Sequence, residues 1–323
     1  MEWDPTQFFR EEENKTPPPF ALVVLNQPIN EIALSVLREH ALITICADGG
    51  ANRFFESANS RGQPDTDLPD TIIGDLDSIR PEIRAHYADL GVNIVQDDDQ
   101  YSTDFTKSLR YLRKHEERIL SFAPLASKYH HHPIITSDPV SGERRRLEIL
   151  ILGGLGGRVD QAFSQIHHLY MMNEQQSTST SDSGSDSGPN SGNFYLISEE
   201  SITFILRRGP NTIYVPRTNR PNTNTGTTTK NLNGKTCQNG SKEEEKEKAE
   251  DHLLEENVGI IPLSGPARIT TSGFEWDVDN WATEIGGQIS TSNHIRAEVV
   301  HVKTNVPVLF TVELAKRLKR VSR

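Results

Sequence analysis

From Phe20 to about Met172, short apolar runs alternate with segments of helical spacing, which restricts this part of the chain to a mostly parallel sheet with helices on its faces. The expected strands are Ala21–Leu25, Leu42–Cys46, Thr71–Ile73, Val92–Val95 and Leu147–Leu152. Helical spacing marks Glu31–His40, Asn52–Ser57, Pro81–Leu90, Asp104–Glu117 and Arg158–Asn173. After Phe194 the texture changes to short β-rich runs separated by turn residues: Phe194–Ile197, Ile202–Leu206, Thr212–Val215, Gly259–Leu263, Ala267–Thr271, Ala297–Lys303 and Val308–Val312. The expected fold is therefore an N-terminal, mostly parallel α/β domain (residues 20–174) followed by a C-terminal β-sandwich (residues 194–323).

Only 34% of the chain is hydrophobic, and polar tracts account for the shortfall. Residues 1–19 open with acids and prolines and read as a disordered tail. Residues 127–146 read as a polar insertion carrying His130–His132, whose triple imidazole is better explained as a solvated loop than as a metal site. Residues 175–193 form a Ser/Gly linker and residues 218–257 a second insertion; neither has the apolar content to offset ordering entropy. The formal charge of −11 argues against nucleic acid as a partner, though the stretch 242–256 alone carries eight acids against three lysines. Cys46 and Cys237 make no disulfide framework. No apolar run reaches the ~18 residues a membrane span needs. The expectation is a cytoplasmic protein with no membrane partner.

In an open α/β sheet, ligands bind beyond the carboxyl ends of the strands, and that is where the distinctive residues fall. Asp48, Gly49 and Gly50 follow the second strand, Asp75 and Asp77 the third, Gln100, Thr103, Asp104 and Lys107 the fourth, and Gly153–Gly157 with Arg158 and Asp160 the fifth. Clustered carboxylates are the hard oxygen donors that Mg²⁺ takes together with substrate phosphates. Gly154 and Gly156 allow backbone N–H groups to approach phosphate oxygens, and the helix near Arg158 adds its positive end. Arg158 suits a bidentate phosphate clamp. Each feature also has a plainer explanation: Asp104 as a helix cap, Asp48 with its glycines as a tight turn, Arg158 and Asp160 as a first-turn pair. Their coincidence at one edge favours a polyphosphate site. In the second domain, Ser290, Thr291, Ser292 and Asn293 form a patch of small polar groups, and Trp276 offers a ring that stacks on a heteroaromatic ligand or packs in the core.

The segments ADGGANR, GDLDSI, DQYSTDFTK, GGLGGRVDQ and STSN, in this order, resemble the eukaryotic, fungal-type thiamine pyrophosphokinases from Phe20 to about Val312. The resemblance implies an α/β domain, a β-sandwich and a homodimer with thiamine held between subunits. It implies Mg²⁺-dependent conversion of ATP and thiamine to AMP and thiamine diphosphate. By position, Asp75, Asp77 and Asp104 resemble the metal-handling carboxylates, and Gln100, Arg158 and Asp160 resemble active-site residues. Ser290, Ser292 and Asn293 resemble the pyrimidine-recognition segment, and Trp276 a thiamine-contacting aromatic. Tyr101 stands where many members carry an acid. The rival readings are a phosphohydrolase with Asp75 as nucleophile, set against by the two strand–helix units that precede it, and a non-catalytic thiamine or nucleotide sensor, which would not need three carboxylates at one edge.

Overall fold

A computed structural model describes residues 1–10, 17–121, 146–178, 192–221 and 252–319; His130–His132 and the bulk of the three polar tracts lie outside them. Gln7–Ile205 make one unit, and Met1–Thr6 with Leu206–Leu318 make the other. The first is α/β and the second strand-rich, as the alternation and its later loss require.

The α/β unit is organised on β2 (Phe20–Val24), whose five residues are all buried. Parallel strands β3 (Ile43–Ala47), β4 (Thr71–Gly74) and β5 (Asn93–Gln96) extend the sheet on one side of β2, and β6 (Glu148–Leu152) pairs on the other. Helices α1 (Glu31–Arg38), α2 (Gly50–Ser60), α3 (Pro81–Asp89), α4 (Asp104–Ser121) and α5 (Val159–Thr178) connect them. Burial on both faces is why these strands read as continuous apolar runs. Helix α1 is capped by Asn30, whose side chain accepts from Ala33 N at 3.0 Å. Helix α4 buries Phe105, Leu109, Leu112 and Ile119 along one face. Cys46 is buried on β3, and burial pushes its thiol far up, so it is an inert core residue.

Three expectations change. The runs Phe194–Ile197 and Ile202–Leu206 read as sandwich strands, but Phe194–Ile197 (β7) runs parallel to β6 and Ser201–Leu206 (β8) pairs antiparallel to β7, so both extend the α/β sheet. Helix α5 supplies the crossover that makes a further parallel strand possible. The tail is not free of structure: β1 (Glu2–Trp3) pairs with β9 (Gly209–Tyr214), and Trp3 Nε1 donates to Asn211 Oδ1 at 3.0 Å. Phe8 packs edge-on against Phe20 and Tyr195, so three aromatic anchors, Trp3, Phe8 and Phe9, outweigh the polar composition around them. Finally, β10 spans Leu254–Ile261 and begins inside the expected insertion, with Leu253 and Leu254 both fully buried.

In the β unit, β11 (Ala267–Ser272), β12 (Trp281–Thr283) and β14 (Val299–Thr304) join β1 and β9 in a five-stranded sheet ordered β1-β9-β14-β11-β12. Strand β10 is flanked by β13 (Ser290–His294) and β15 (Val308–Leu314), both antiparallel. Alternating burial along β11 and β14 matches sheets with one covered face.

Candidate active site

Strand order in the α/β unit is β8-β7-β6-β2-β3-β4-β5, so the chain reverses direction across the sheet between β2 and β6. That switch point opens a crevice at the carboxyl ends of the strands. The loops after β3, β4, β5 and β6 lie along the same carboxyl edge and carry the expected residues, and the loop after β2 joins them.

Asp48, Asp75 and Asp104 each offer a carboxylate oxygen within 4.8 Å of the others. Gly74 makes this approach possible: a Cβ there would stand 2.6 Å from Asp48 Cβ and 3.0 Å from Asp104 Oδ1. Lys107, almost wholly buried, places Nζ 3.0 Å from Asp104 Oδ1 and 3.8 Å from Asp75 Oδ2. Burial alone would lower the Lys107 pKa, but the adjoining Asp104 and Asp75 carboxylates outweigh it and hold the ammonium charged. With all groups ionised, three carboxylates against one ammonium leave a formal −2, the complement of one divalent cation. Oxygen-only donors fit Mg²⁺, which keeps one or two carboxylates and completes its shell with water and phosphate.

The three acids are not equivalent. Asp48 is buried, and its two oxygens accept the backbone N–H groups of Ser78 at 2.9 Å and Ile79 at 3.0 Å. Burial raises its pKa; the two N–H donors oppose this and the Asp104 charge adds to it. Asp48 therefore anchors the β4–α3 loop, while Asp75 and Asp104 keep free acceptor capacity. Asp77, expected as a third metal ligand, is exposed outside the cluster and accepts from Ser78 Oγ at 2.8 Å. The third carboxylate of the cluster is Asp48. Two non-glycine residues here have positive φ, Asp48 (39°) and Leu76 (66°), so the strain coincides with the carboxylates.

Thr103 caps α4: its Oγ1 accepts from Thr106 N at 3.2 Å. That leaves the Asp104 side chain to the cluster rather than to the helix end. Gln100 is exposed on the same loop. Beyond β6, Gly154 is buried and Gly156 exposed, and Arg158 pairs through two N–H groups with Asp160 at 3.1 and 2.6 Å, both side chains open to solvent. The Arg158 hydrogen bonds draw the Asp160 pKa down.

The sequence reading passed over Asn26 and Gln27, in the loop after β2. An added Cβ at Gly49 would meet Asn26 Nδ2 at 2.2 Å, and one at Gly157 would meet Gln27 Oε1 at 2.1 Å, so both carboxamides lie against the glycine loops at the switch point. The available signal was their place after the first strand of the alternation, which borders any such switch. In the β unit, Trp276 is 54% exposed, Ser290 is half-buried, Ser292 is exposed with φ of 55°, and Asn293 is buried.

A family model described as "Thiamin pyrophosphokinase, catalytic domain" matches residues 34–180, and one described as "Thiamin pyrophosphokinase, vitamin B1 binding domain" matches residues 244–309. The chain is 29% identical over 305 residues to thiamine pyrophosphokinase 1 of Oryza sativa subsp. japonica, covering 91% of this chain and 87% of the relative. It is 26% identical over 326 residues to thiamine pyrophosphokinase of Saccharomyces cerevisiae, covering 94% and 86%. The structure of thiamin pyrophosphokinase from Candida albicans superposes with a TM-score of 0.66 at 27% identity, covering 97% of this chain and 92% of that one.

Proposed function

This chain belongs to the thiamin pyrophosphokinase family, and on that premise we propose that it transfers the pyrophosphoryl group of ATP to the hydroxyl of thiamine, releasing AMP and thiamine diphosphate. The observation that carries the reading is the Asp48–Asp75–Asp104 cluster with Lys107 at the carboxyl edge of the sheet.

The thiamine oxygen forms a bond to the β-phosphorus, and the bond from that phosphorus to the bridging oxygen breaks, its electron pair leaving with AMP. The hydroxyl proton passes to a carboxylate, Asp104 or Asp160. We assign Asp75, Asp77 and Asp104 to holding Mg²⁺, Asp77 from its exposed position beside the cluster, with both Asp48 oxygens taken up in anchoring the β4–α3 loop. Bound there, Mg²⁺ would supply neutralisation of the phosphate charge. Lys107 supplies a fixed positive charge at the same edge. Arg158 exchanges Asp160 for a phosphate, and Gly49, Gly50, Gly154 and Gly156 let the backbone reach the nucleotide, with Gln100, Thr103, Asn26 and Gln27 lining it. Ser290 and Ser292 recognise the aminopyrimidine beside Trp276.

Val159, Phe163 and Met171 expose apolar surface along α5, which supports a homodimer; a thiamine site shared between its subunits is what the family resemblance adds. Among the described residues no helix is long and apolar enough to cross a membrane. Incubating the protein with ATP, Mg²⁺ and thiamine should yield AMP and thiamine diphosphate in equal amounts. ADP with thiamine monophosphate, or phosphate release independent of thiamine, would overturn the assignment; the second outcome would favour a phosphohydrolase.

A further inference from the structure

Gly273–Trp276 lies antiparallel to Asn293–Arg296. Arg296 N donates to Gly273 O at 2.8 Å, Glu275 N donates to His294 O at 2.8 Å, and Phe274 bridges Ile295. At Trp276 a side chain takes over from the backbone. Trp276 N donates to Asn293 Oδ1 at 3.2 Å, and Asn293 Nδ2 donates to Trp276 O at 3.0 Å. One carboxamide thus engages both peptide groups of one residue, and Oδ1 also accepts His294 N at 2.8 Å. Asn293 is only 5% exposed, and three of its four hydrogen-bonding positions are filled in this way.

The strand is shaped for this. Val258 pairs with Asn293 and Ile260 with Ser290, so β13 carries one residue more than β10 between those pairs. The extra residue is a β-bulge, and Ser292 within it has φ of 55°, a left-handed conformation costly for serine. Bulges re-aim side chains, and the neighbour re-aimed here is Asn293. Beyond the clamp, the Trp276 ring lies 5.0 Å from the His294 ring at 45°. His294 Nδ1 is 2.7 Å from Glu275 Oε2, and Arg296 ties Glu275 to Glu256. The indole is held from behind yet remains half open to solvent.

We propose that Asn293 is a positioning residue for thiamine recognition: it does not touch the ligand, but clamps the Trp276 main chain so that the indole stands ready as a stacking surface. The inference rests on the reading of this unit as the thiamine-binding one, and departs from the direct contact that the resemblance gave Asn293. A pre-set ring spares the ordering cost that a mobile loop would incur on binding.

The test is a double-mutant cycle in the full chain, reading KM for thiamine, KM for ATP and kcat. Trp276→Ala and Asn293→Ala should each raise KM for thiamine roughly 5- to 30-fold, with KM for ATP and kcat within about twofold. The double variant should be no worse than Trp276→Ala alone, because the clamp has nothing left to hold. Asn293→Asp keeps the acceptor and should recover part of the loss; if Asn293→Ala does not fold, the cycle runs on Asn293→Asp. Effects that multiply in the double variant would mean that Asn293 touches thiamine itself and would overturn the inference. An unchanged thiamine KM in either single variant, with the unmutated protein turning over, would overturn it equally. Absence of thiamine diphosphate from the unmutated protein would instead overturn the proposed function.

Discussion

The α/β unit and the β unit prepare their functional residues in opposite ways. At the α/β edge, charged groups are packed together and partly withdrawn from water: Asp48 and Lys107 are buried, and Asp75 and Asp104 are half-buried. Their mutual electrostatics are strong because water is scarce, and their net negative charge is of the kind a dication offsets. In the β unit the buried group is a neutral carboxamide, Asn293, and the exposed group is the ring of Trp276. On the proposed function, one edge stores charge for chemistry, and the other stores conformation for recognition. Substitutions in the first should therefore act on turnover, and substitutions in the second on thiamine affinity.

The largest expected effect tests the charged edge. Asp75→Asn or Asp104→Asn should lower kcat by about 10²–10⁴ with little change in KM for thiamine. A Mg²⁺ titration should not restore the rate. Either variant retaining near-normal turnover at saturating Mg²⁺ would remove the distinction between the two regions.

The next test asks where the β unit's core begins. Leu254 is fully buried and its Cα is paired with that of Leu314. Leu254→Ala should cost about 2–5 kcal/mol in denaturant unfolding while leaving both KM values alone if the variant is assayed folded. A loss below about 0.5 kcal/mol would show that this stretch belongs to the polar insertion after all.

A smaller effect should come from pH and be confined to the α/β unit. His168 is buried, its Nδ1 2.6 Å from Ser164 O and its Nε2 3.0 Å from Thr106 Oγ1. Burial lowers its pKa below the ordinary 6.5, so the unfolded chain takes up a proton that the folded one resists. This contribution to stability is complete above pH 6.5 and declines as pH falls below it toward the lowered folded value. Thermal melting between pH 7.5 and 5.5 should show a decline that His168→Gln reduces. An identical decline in the variant would clear His168 of the effect.

The smallest change is expected from removing residues 222–251 and joining their flanks with a short Gly/Ser link. Closure entropy varies by only ~0.6 kcal/mol per doubling of loop length, so the kinetic constants should stay within about threefold. The cut must end before Leu253, since a deletion reaching Glu256 would remove the start of β10. A protein that folds after the shorter deletion but loses most of its turnover would make the tract part of the active site.

The α/β class, the parallel order and the edge that carries the site were legible because each followed from local pattern. Phe20–Val24 could not be so continuously apolar outside a sheet covered on both faces, and the acids and glycines came directly after such runs. Asp75, Asp104 and Arg158 could be named as candidates on those grounds, and Trp276 as a ring near the small polar patch Ser290–Asn293. Tertiary structure decided which of them meet. Asp48 joins Asp75 and Asp104 because β3 and β4 are neighbours in the sheet and Gly74 leaves room, while Asp77, two residues from Asp75, faces solvent. Lys107 was legible as a loop neighbour, but not as the ammonium buried between two carboxylates. The Trp3, Phe8 and Phe9 anchors were hidden in a polar tail, because three rings weigh little in composition and much in packing. Asn293 turns toward Trp276 only because the bulge at Ser292 changes which way the strand presents its side chains. Periodicity along a chain determines which face of an element is apolar; register, bulges and close approach between distant elements determine partners, and those exist only once the chain has folded.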